Sequence, residues 1–281
     1  MCFRALKILN TIILSFVVIF FSIGCEESTT DVPEDNPGEI LITQAELISF
    51  QVQGQVSPIR SKLNTFWGNS SPNEEIADSL LEKLVSTTSL IWSAGLLDHE
   101  GQVLKVFPVT EDSLLGRSWY DIPQVHDALE TPSLLTGTVD KNSIDRRSYN
   151  YYRSITEVDQ PFGVLFCAIN ADSLISLSTG LAEIDEENQR GLFILEKSSK
   201  IIYDRSESYF GQAMNNPQSF SPNAVSLATM MTDPSSANGY LNYDGIDIPG
   251  GLIDGHRHIV GWAICPMEGN TFWSIAITEP I

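Results

Sequence analysis

Basic residues are scarce in this chain: 16 lysines and arginines stand against 36 aspartates and glutamates, a formal net charge of −20 over 281 residues. Arg4 and Lys7 sit in the extreme N-terminus, so the remainder carries 14 − 36 = −22. Such a field repels phosphate backbones and anionic membrane surfaces, which excludes nucleic acid as a partner; it reads as an acidic coat that keeps a secreted protein dispersed. Catalytic signatures are missing as well. The sequence has no H-E-x-x-H, no Walker loop, no dinucleotide glycine fingerprint and no G-x-S-x-G elbow, so no cofactor is expected and the chain reads as a non-enzyme. Histidine is limited to four residues. His256 and His258 in "GHRH" make half of a metal site at most, because no carboxylate or cysteine cluster stands nearby at ligand spacing. His99 falls in a turn and His126 is followed by Asp127, a pair that points apart on any regular element.

Long apolar runs are also few. Residues 12–21 are apolar but fall short of the ~20 needed to span a bilayer as an anchor, and no later run approaches that length. With Arg4 and Lys7 ahead of it, the run reads as a secretion signal over 1–24. It ends in Ser22-Ile23-Gly24-Cys25, which resembles the lipobox of prokaryotic lipoproteins; the resemblance implies lipidation at Cys25 and an anchored location on the extracellular side of the membrane. Residues 25–39, "CEESTTDVPEDNPGE", are too poor in apolar side chains to fold alone and read as a disordered acidic tether. Of the four cysteines, Cys167 and Cys265 occupy apolar strand-like contexts and read as two separate buried thiols.

What the chain does have is 42% hydrophobic residues and a repeated plan. Leu41, Ala45, Ile48, Val52, Val56, Ile59, Leu63 and Phe66 recur at steps of three and four, the stripe of one long helix with a bend expected near Gly54 and Pro58. Ser71, Pro72 and Glu74 open a second helix with a capping box. "SLIWSAGLLDHEGQVLKVFP" then reads as two strands around a tight turn, and "GLFILEKSSKIIYD" repeats that sentence about a hundred residues later. Each copy leads into a polar loop closed by glycine, Gly116 and Gly211, and each half ends in further strands. Two copies of one α+β module, with two antiparallel sheets stacked end to end along the first helix, follow from this.

With those pieces placed, "LLDHEGQVLKVFP", "LLGRSWYDIPQVHDAL" and "PFGVLFCAIN", then "LFILEKSSKIIYDRSESYFGQ", "GYLNYDG" and "WSIAIT", resemble the extracellular double Cache sensor family from about Ile40 to the end. The resemblance implies an α+β fold: a long N-terminal helix and two PAS-like modules, each an antiparallel sheet flanked by helices. Residues 40–185 would form the helix and membrane-distal module, and 186–281 the second module. Family members that bind amino acids resemble one another in an R-x-W-Y-x-x-A string and a later strand aspartate. Here Arg117, Trp119 and Tyr120 spell the first letters, but the helix alanine is Ala128, which puts Ile122, Gln124 and Val125 at the anchor positions and Ala168 where the aspartate would be. Losing both charged anchors forfeits charge-assisted bonds worth on the order of 1.5 to 3 kcal/mol each, so a standard amino-acid site is not expected.

The remaining candidates for ligand contact are Trp119, Tyr120, Gln124, His126, Tyr149, Tyr151 and Arg153. Gln124 and His126 share a face if their segment is extended and not if it is helical; Tyr149, Tyr151 and Arg153 alternate along one strand. Together they supply aromatic walls and polar handles, with Arg117 or Arg153 available to an anionic group. Strand tyrosines are equally at home in a core. Because the chain stops at Ile281, straight after a strand, it is expected to lack its own output domain and to capture a solute or present it to a separate transmembrane signalling or transport protein. The competing reading is a structural or adhesive surface lipoprotein with a degenerate pocket.

Overall fold

The computed structural model describes residues 36–65, 74–108, 114–132, 135–141, 147–157, 160–180, 184, 190–205, 208–244, 257–268 and 271–281. The signal segment, Cys25, Phe66, the Ser71-Pro72 cap and His256 lie outside them. Among the described residues, no helix is long and apolar enough to cross a membrane.

Helix α1, Pro37–Thr65, takes its buried side from the predicted stripe: Leu41, Ala45, Ile48, Val52, Val56, Ile59 and Leu63 are all fully buried. It starts earlier than expected, inside the segment read as tether. Pro37 suits the first helical position, and the Asn36 side chain accepts a bond from the Gly38 backbone N–H, satisfying a donor the helix leaves open. The helix is continuous through Pro58, whose ring would press on the carbonyl four residues back; that residue is Gly54, which is exposed and has open space where a Cβ would be.

Helix α2 is Glu74–Val85; β1, Ile91–Leu97, and β2, Val103–Phe107, form the first hairpin; α3 is Pro123–Glu130. Strands β3, Leu135–Lys141, β4, Arg147–Glu157, and β5, Gln160–Asn170, complete a sheet of order β2-β1-β5-β4-β3. After α4, Ala171–Thr179, the second half repeats the scheme with β6, Gly191–Glu196, β7, Ile201–Asp204, α5, Pro222–Met231, β8, Asn238–Asp244, β9, Arg257–Pro266, and β10, Phe272–Pro280. Its sheet order is β7-β6-β10-β9-β8, the first order again, and all pairings are antiparallel.

The turns repeat atom for atom. Gly116 N–H donates to Val103 O (2.9 Å) as Gly211 N–H donates to Ile201 O (2.8 Å). Val103 N–H donates to Arg117 O as Ile201 N–H donates to Gln212 O, both at 2.9 Å. Gly116 and Gly211 both have positive φ, +71° and +82°, a backbone that penalises any Cβ.

One core cluster joins the halves: it holds the α1 stripe, Tyr149, Tyr151, Leu165, Cys167 and Ile169 from the first sheet, and Ile194, Ile259, Ala263, Trp273, Ile275 and Ile277 from the second. Separate clusters fill the outer faces, beneath α3 in the first module and beneath α5 in the second. Helix α1 runs along β9: Leu41 sits against Gly261, Ser49 Oγ donates to Ile264 O (3.2 Å), Gln53 Nε2 donates to Pro266 O, and Arg60 pairs with Glu268 (2.7 Å). Its end reaches the first sheet, where Asn64 Oδ1 accepts from Arg153. Cys167 and Cys265 are free and buried, as the strand contexts predicted.

Candidate functional site

The loop before α3 is held against the first hairpin. Trp119 N–H donates to Gly101 O (2.8 Å), next to the Val103–Arg117 bond, and this drapes Trp119 over the outer face of the sheet. Its ring lies on Phe166 at 4.7 Å between centroids, tilted by 50°. Helix α3 follows with Pro123 in its first turn and presents Val125 and Ala128, both fully buried, to a floor of Leu97, Val103, Val106, Tyr152, Val164 and Phe166. Phe166 also covers Gly95, where an added Cβ would meet the ring at 2.4 Å. Burial pushes the Tyr152 phenol well upward, so it stays a neutral donor and acceptor.

Because this segment is helical, Gln124 and His126 are about 200° apart around the axis and do not share a face. His126 leans on the exposed Tyr120 ring, edge-on at 5.2 Å, with Nε2 at 3.3 Å from Glu130 Oε1 one turn on. Gln124 is half-buried on the other flank, and Arg117 is exposed.

Strand pairing locates the rest of this face. Gly95, Phe166 and Tyr152 are aligned across β1, β5 and β4, and the neighbouring row on the same face is Ser93, Ala168, Asn150 and Thr138. Ser93 and Thr138 are buried; Ala168 and Asn150 are partly open. One step the other way on β4 stands Ser154, 3% exposed, whose Oγ has no hydrogen-bond partner among the described residues. In the second module the matched row is Gly191, Thr278, Val260 and Leu241.

Tyr149, Tyr151 and Arg153 point the opposite way. Alternation along β4 sends them through the sheet to the shared core, so the expected single pocket uniting them with Trp119, Tyr120, Gln124 and His126 does not form. Tyr149 packs edge-on against Tyr151 (4.7 Å) and against Trp273 of the second module (5.1 Å). The two hydroxyls are buried without a partner of good hydrogen-bond geometry, and burial raises both phenols. Arg153 donates to Asn64 Oδ1, and burial lowers its pKa. These three side chains join modules; they do not face a ligand space on the α3 side. Sequence reasoning missed Ser93, Thr138, Asn150 and Ser154, whose only signal is their even spacing on strands that are apolar on both faces.

Among the described residues, no three His, Cys, Asp or Glu side chains converge on a metal-sized space. His258 is buried on β9 and His99 is exposed in the first hairpin turn.

No family model and no curated protein matches the sequence. Solved structures do. The periplasmic sensory domain of the Campylobacter jejuni chemoreceptor Tlp1 is similar at TM-score 0.64 and 13% identity, over 87% of this chain and 95% of that one. The ligand-binding domain of the Pseudomonas aeruginosa amino acid chemoreceptor PctB, in complex with L-Arg, is similar at 0.63 and 15%, over 87% of this chain and 88% of that one. An extracellular ligand binding receptor from Desulfohalobium retbaense is similar at 0.59 and 17%, over 85% of this chain; this chain spans 39% of that receptor's length. The α+β architecture of a long helix and two PAS-like modules is therefore the fold of double-module chemoreceptor sensor domains.

Proposed function

We propose that this chain is an extracytoplasmic, lipid-anchored protein that binds a small molecule reversibly on the α3 side of its first module. The supporting observation is the asymmetry of two otherwise matched sheet faces: Asn150 and Ala168 leave a partly open polar row in the first module, where the second has the fully buried Val260 and buried Thr278. Trp119, Tyr120, Gln124 and His126 flank that face. Of the similar solved structures, the PctB domain is that of an amino acid chemoreceptor and the Desulfohalobium retbaense protein is an extracellular ligand binding receptor. In this reading the bound form is presented to a separate transmembrane signalling or transport protein, and Cys25 carries the anchor. Two measurements test it. Ligand binding to the native state must raise apparent stability, so a broad metabolite panel should contain a compound that lifts Tm. Cys25→Ala should move the protein from the membrane fraction to the soluble fraction.

A second reading is favoured by the packing of Trp119, Tyr152 and Phe166, which fill the centre of the same face. A structural or adhesive surface protein with a closed site would show no Tm response to any metabolite.

A further inference from the structure

We infer that the first-module site takes an uncharged, hydroxyl-rich molecule, a sugar or polyol, in place of the amino acids bound by the similar chemoreceptor domains. The inference rests on the binding role proposed above and concerns the class of ligand. The outer face of β4 presents Asn150, Tyr152 and Ser154 in succession; β3 adds Thr138, β1 adds Ser93, and Gln124 is half-buried on the helix that covers the sheet. All of these are neutral groups that both donate and accept, since a hydroxyl or an amide offers an N–H or O–H together with lone pairs. A ligand hydroxyl is the same kind of group and can satisfy both halves. A carboxylate offers lone pairs alone, and an ammonium offers protons alone, so each would leave half of the set facing an unmatched partner in a poorly hydrated space.

Two of the charges bordering the face are paired, while Arg117, in the loop before α3, is exposed. Asp140, at the end of β3, holds Lys200 of the second module at 3.2 Å, and Arg147, at the start of β4 on the opposite face, holds Asp172 at 2.6 Å. Arg153, one of the two cations expected from sequence to receive an anion, is behind the sheet and bonded to Asn64. The Ser154 hydroxyl adds a separate observation: it is 3% exposed and has no partner among the described residues, and a buried unmade hydrogen bond costs stability. An arriving hydroxyl would complete it. Trp119, half-buried on Phe166 beside the polar row, offers an apolar surface for the C–H side of a ring.

The test is scanning fluorimetry and titration calorimetry on natively purified protein with three sets of probes: monosaccharides and polyols, α-amino acids with GABA, and mono- and dicarboxylates. A Tm rise confined to the first set is expected. Asn150→Val, which copies Val260 at the matched position, should weaken binding of the active compound about tenfold, the effect of losing roughly one hydrogen bond. Ser154→Ala should raise the Tm of the ligand-free protein while weakening the ligand, opposite signs that a purely structural serine would not give. A response to amino acids or carboxylates alone overturns the assigned class and leaves reversible binding standing. Binding of a sugar unchanged in both variants overturns the site. Silence from all three sets overturns the class and the binding role together.

Discussion

The two sheets share strand order, register and turn hydrogen bonds, yet several of their matched positions carry very different side chains. Tyr151 pairs with Cys167 in the first module; its counterpart Gly261 pairs with Ile277 in the second. Arg153 likewise answers to Ala263, and Tyr149 to Ile259. Helix α1 lies on β9 and needs a shallow floor there, while β4 fills the matched positions with tyrosines that pack in the shared core and reach Trp273. On the outer faces the exchange is reciprocal: Phe166 covers Gly95 in one module, and Phe193 stands opposite Ala276 in the other. Large and small trade places with the summed volume kept, which a close-packed interior tolerates. A repeated backbone plan thus fixes where side chains point, and the neighbours of each copy fix which ones fit.

If the shared core truly binds the copies into one body, its bridge should be the costliest place to cut. Trp273 is 2% exposed and reaches across to Tyr149. Trp273→Ala is expected to lower stability by about 3–5 kcal/mol, the range for deleting a large core aromatic. Urea unfolding followed separately in each module should shift to lower midpoints together. A first module whose midpoint stays put would break the comparison, because its tyrosines would then be supported from within.

The next effect belongs to the floor under α1. A Cβ at Gly261 would stand 2.4 Å from Leu41 Cβ and 2.9 Å from the Ile42 backbone nitrogen. Gly261→Ala is expected to cost about 1–3 kcal/mol by overpacking, because a helix backbone must move to admit it. Tyr151→Phe, at the matched position, should be neutral or stabilising, since it removes a buried hydroxyl that has no partner of good geometry among the described residues. Equal costs at the two positions would mean that α1 does not decide them.

Much of this architecture was legible beforehand. The α1 stripe, both hairpins and the glycines at 116 and 211 depend on local chemistry: a 3.6-residue period, Asp98 Oδ1 accepting from Glu100 and Gln102 in the turn, and a backbone that favours glycine. The site was legible only in part. Strand β4 is buried on both sides, with Tyr149 and Tyr151 on the shared core and Tyr152 beneath α3, so its sequence carries no apolar-polar alternation to separate the faces. Alternation does put Tyr149, Tyr151 and Arg153 on one side, but nothing in the strand says which face of the sheet that is. Trp119 was misassigned to their side for the same reason, since only the Trp119 N–H to Gly101 O bond sets which face it covers.

Alkaline pH should separate the modules without any mutation. Burial raises the phenols of Tyr149, Tyr151 and Tyr152 and the Cys167 thiol, all on β4 and β5; the matched residues Ile259, Gly261, Trp262 and Ile277 do not titrate. The folded state keeps these groups protonated after the unfolded chain begins to ionise, near pH ~8.5 for cysteine and ~10 for tyrosine. Above those values the unfolded state binds fewer protons than the folded state, so stability falls as pH rises; below about pH 8 these groups contribute no slope. Urea midpoints should therefore decline above roughly pH 9, and Tyr149→Phe with Tyr151→Phe should flatten the decline. In the second module the raised Cys265 thiol and Tyr203 phenol make smaller contributions of the same sign. An unchanged slope in the double variant would place the sensitivity elsewhere.

The smallest effect is expected where the modules touch at the rim. Lys200 Nζ donates to Val139 O (3.0 Å) and meets Asp140 Oδ1 (3.2 Å), with the two side chains 30% and 48% exposed. Water and salt screen such a pair, and measured exposed pairs contribute about 0–1 kcal/mol. Arg147 joins the same modules more deeply: its side chain is 9% exposed, holds Asp172, and lies 4.9 Å from the Tyr203 ring centre and 5.7 Å from that of Phe210. Lys200→Met should thus lower stability by less than about 1 kcal/mol, and by still less in high salt. A loss as large as that from Trp273→Ala would mean that the modules are held by their charged rim, and that the shared aromatic core is incidental to their union.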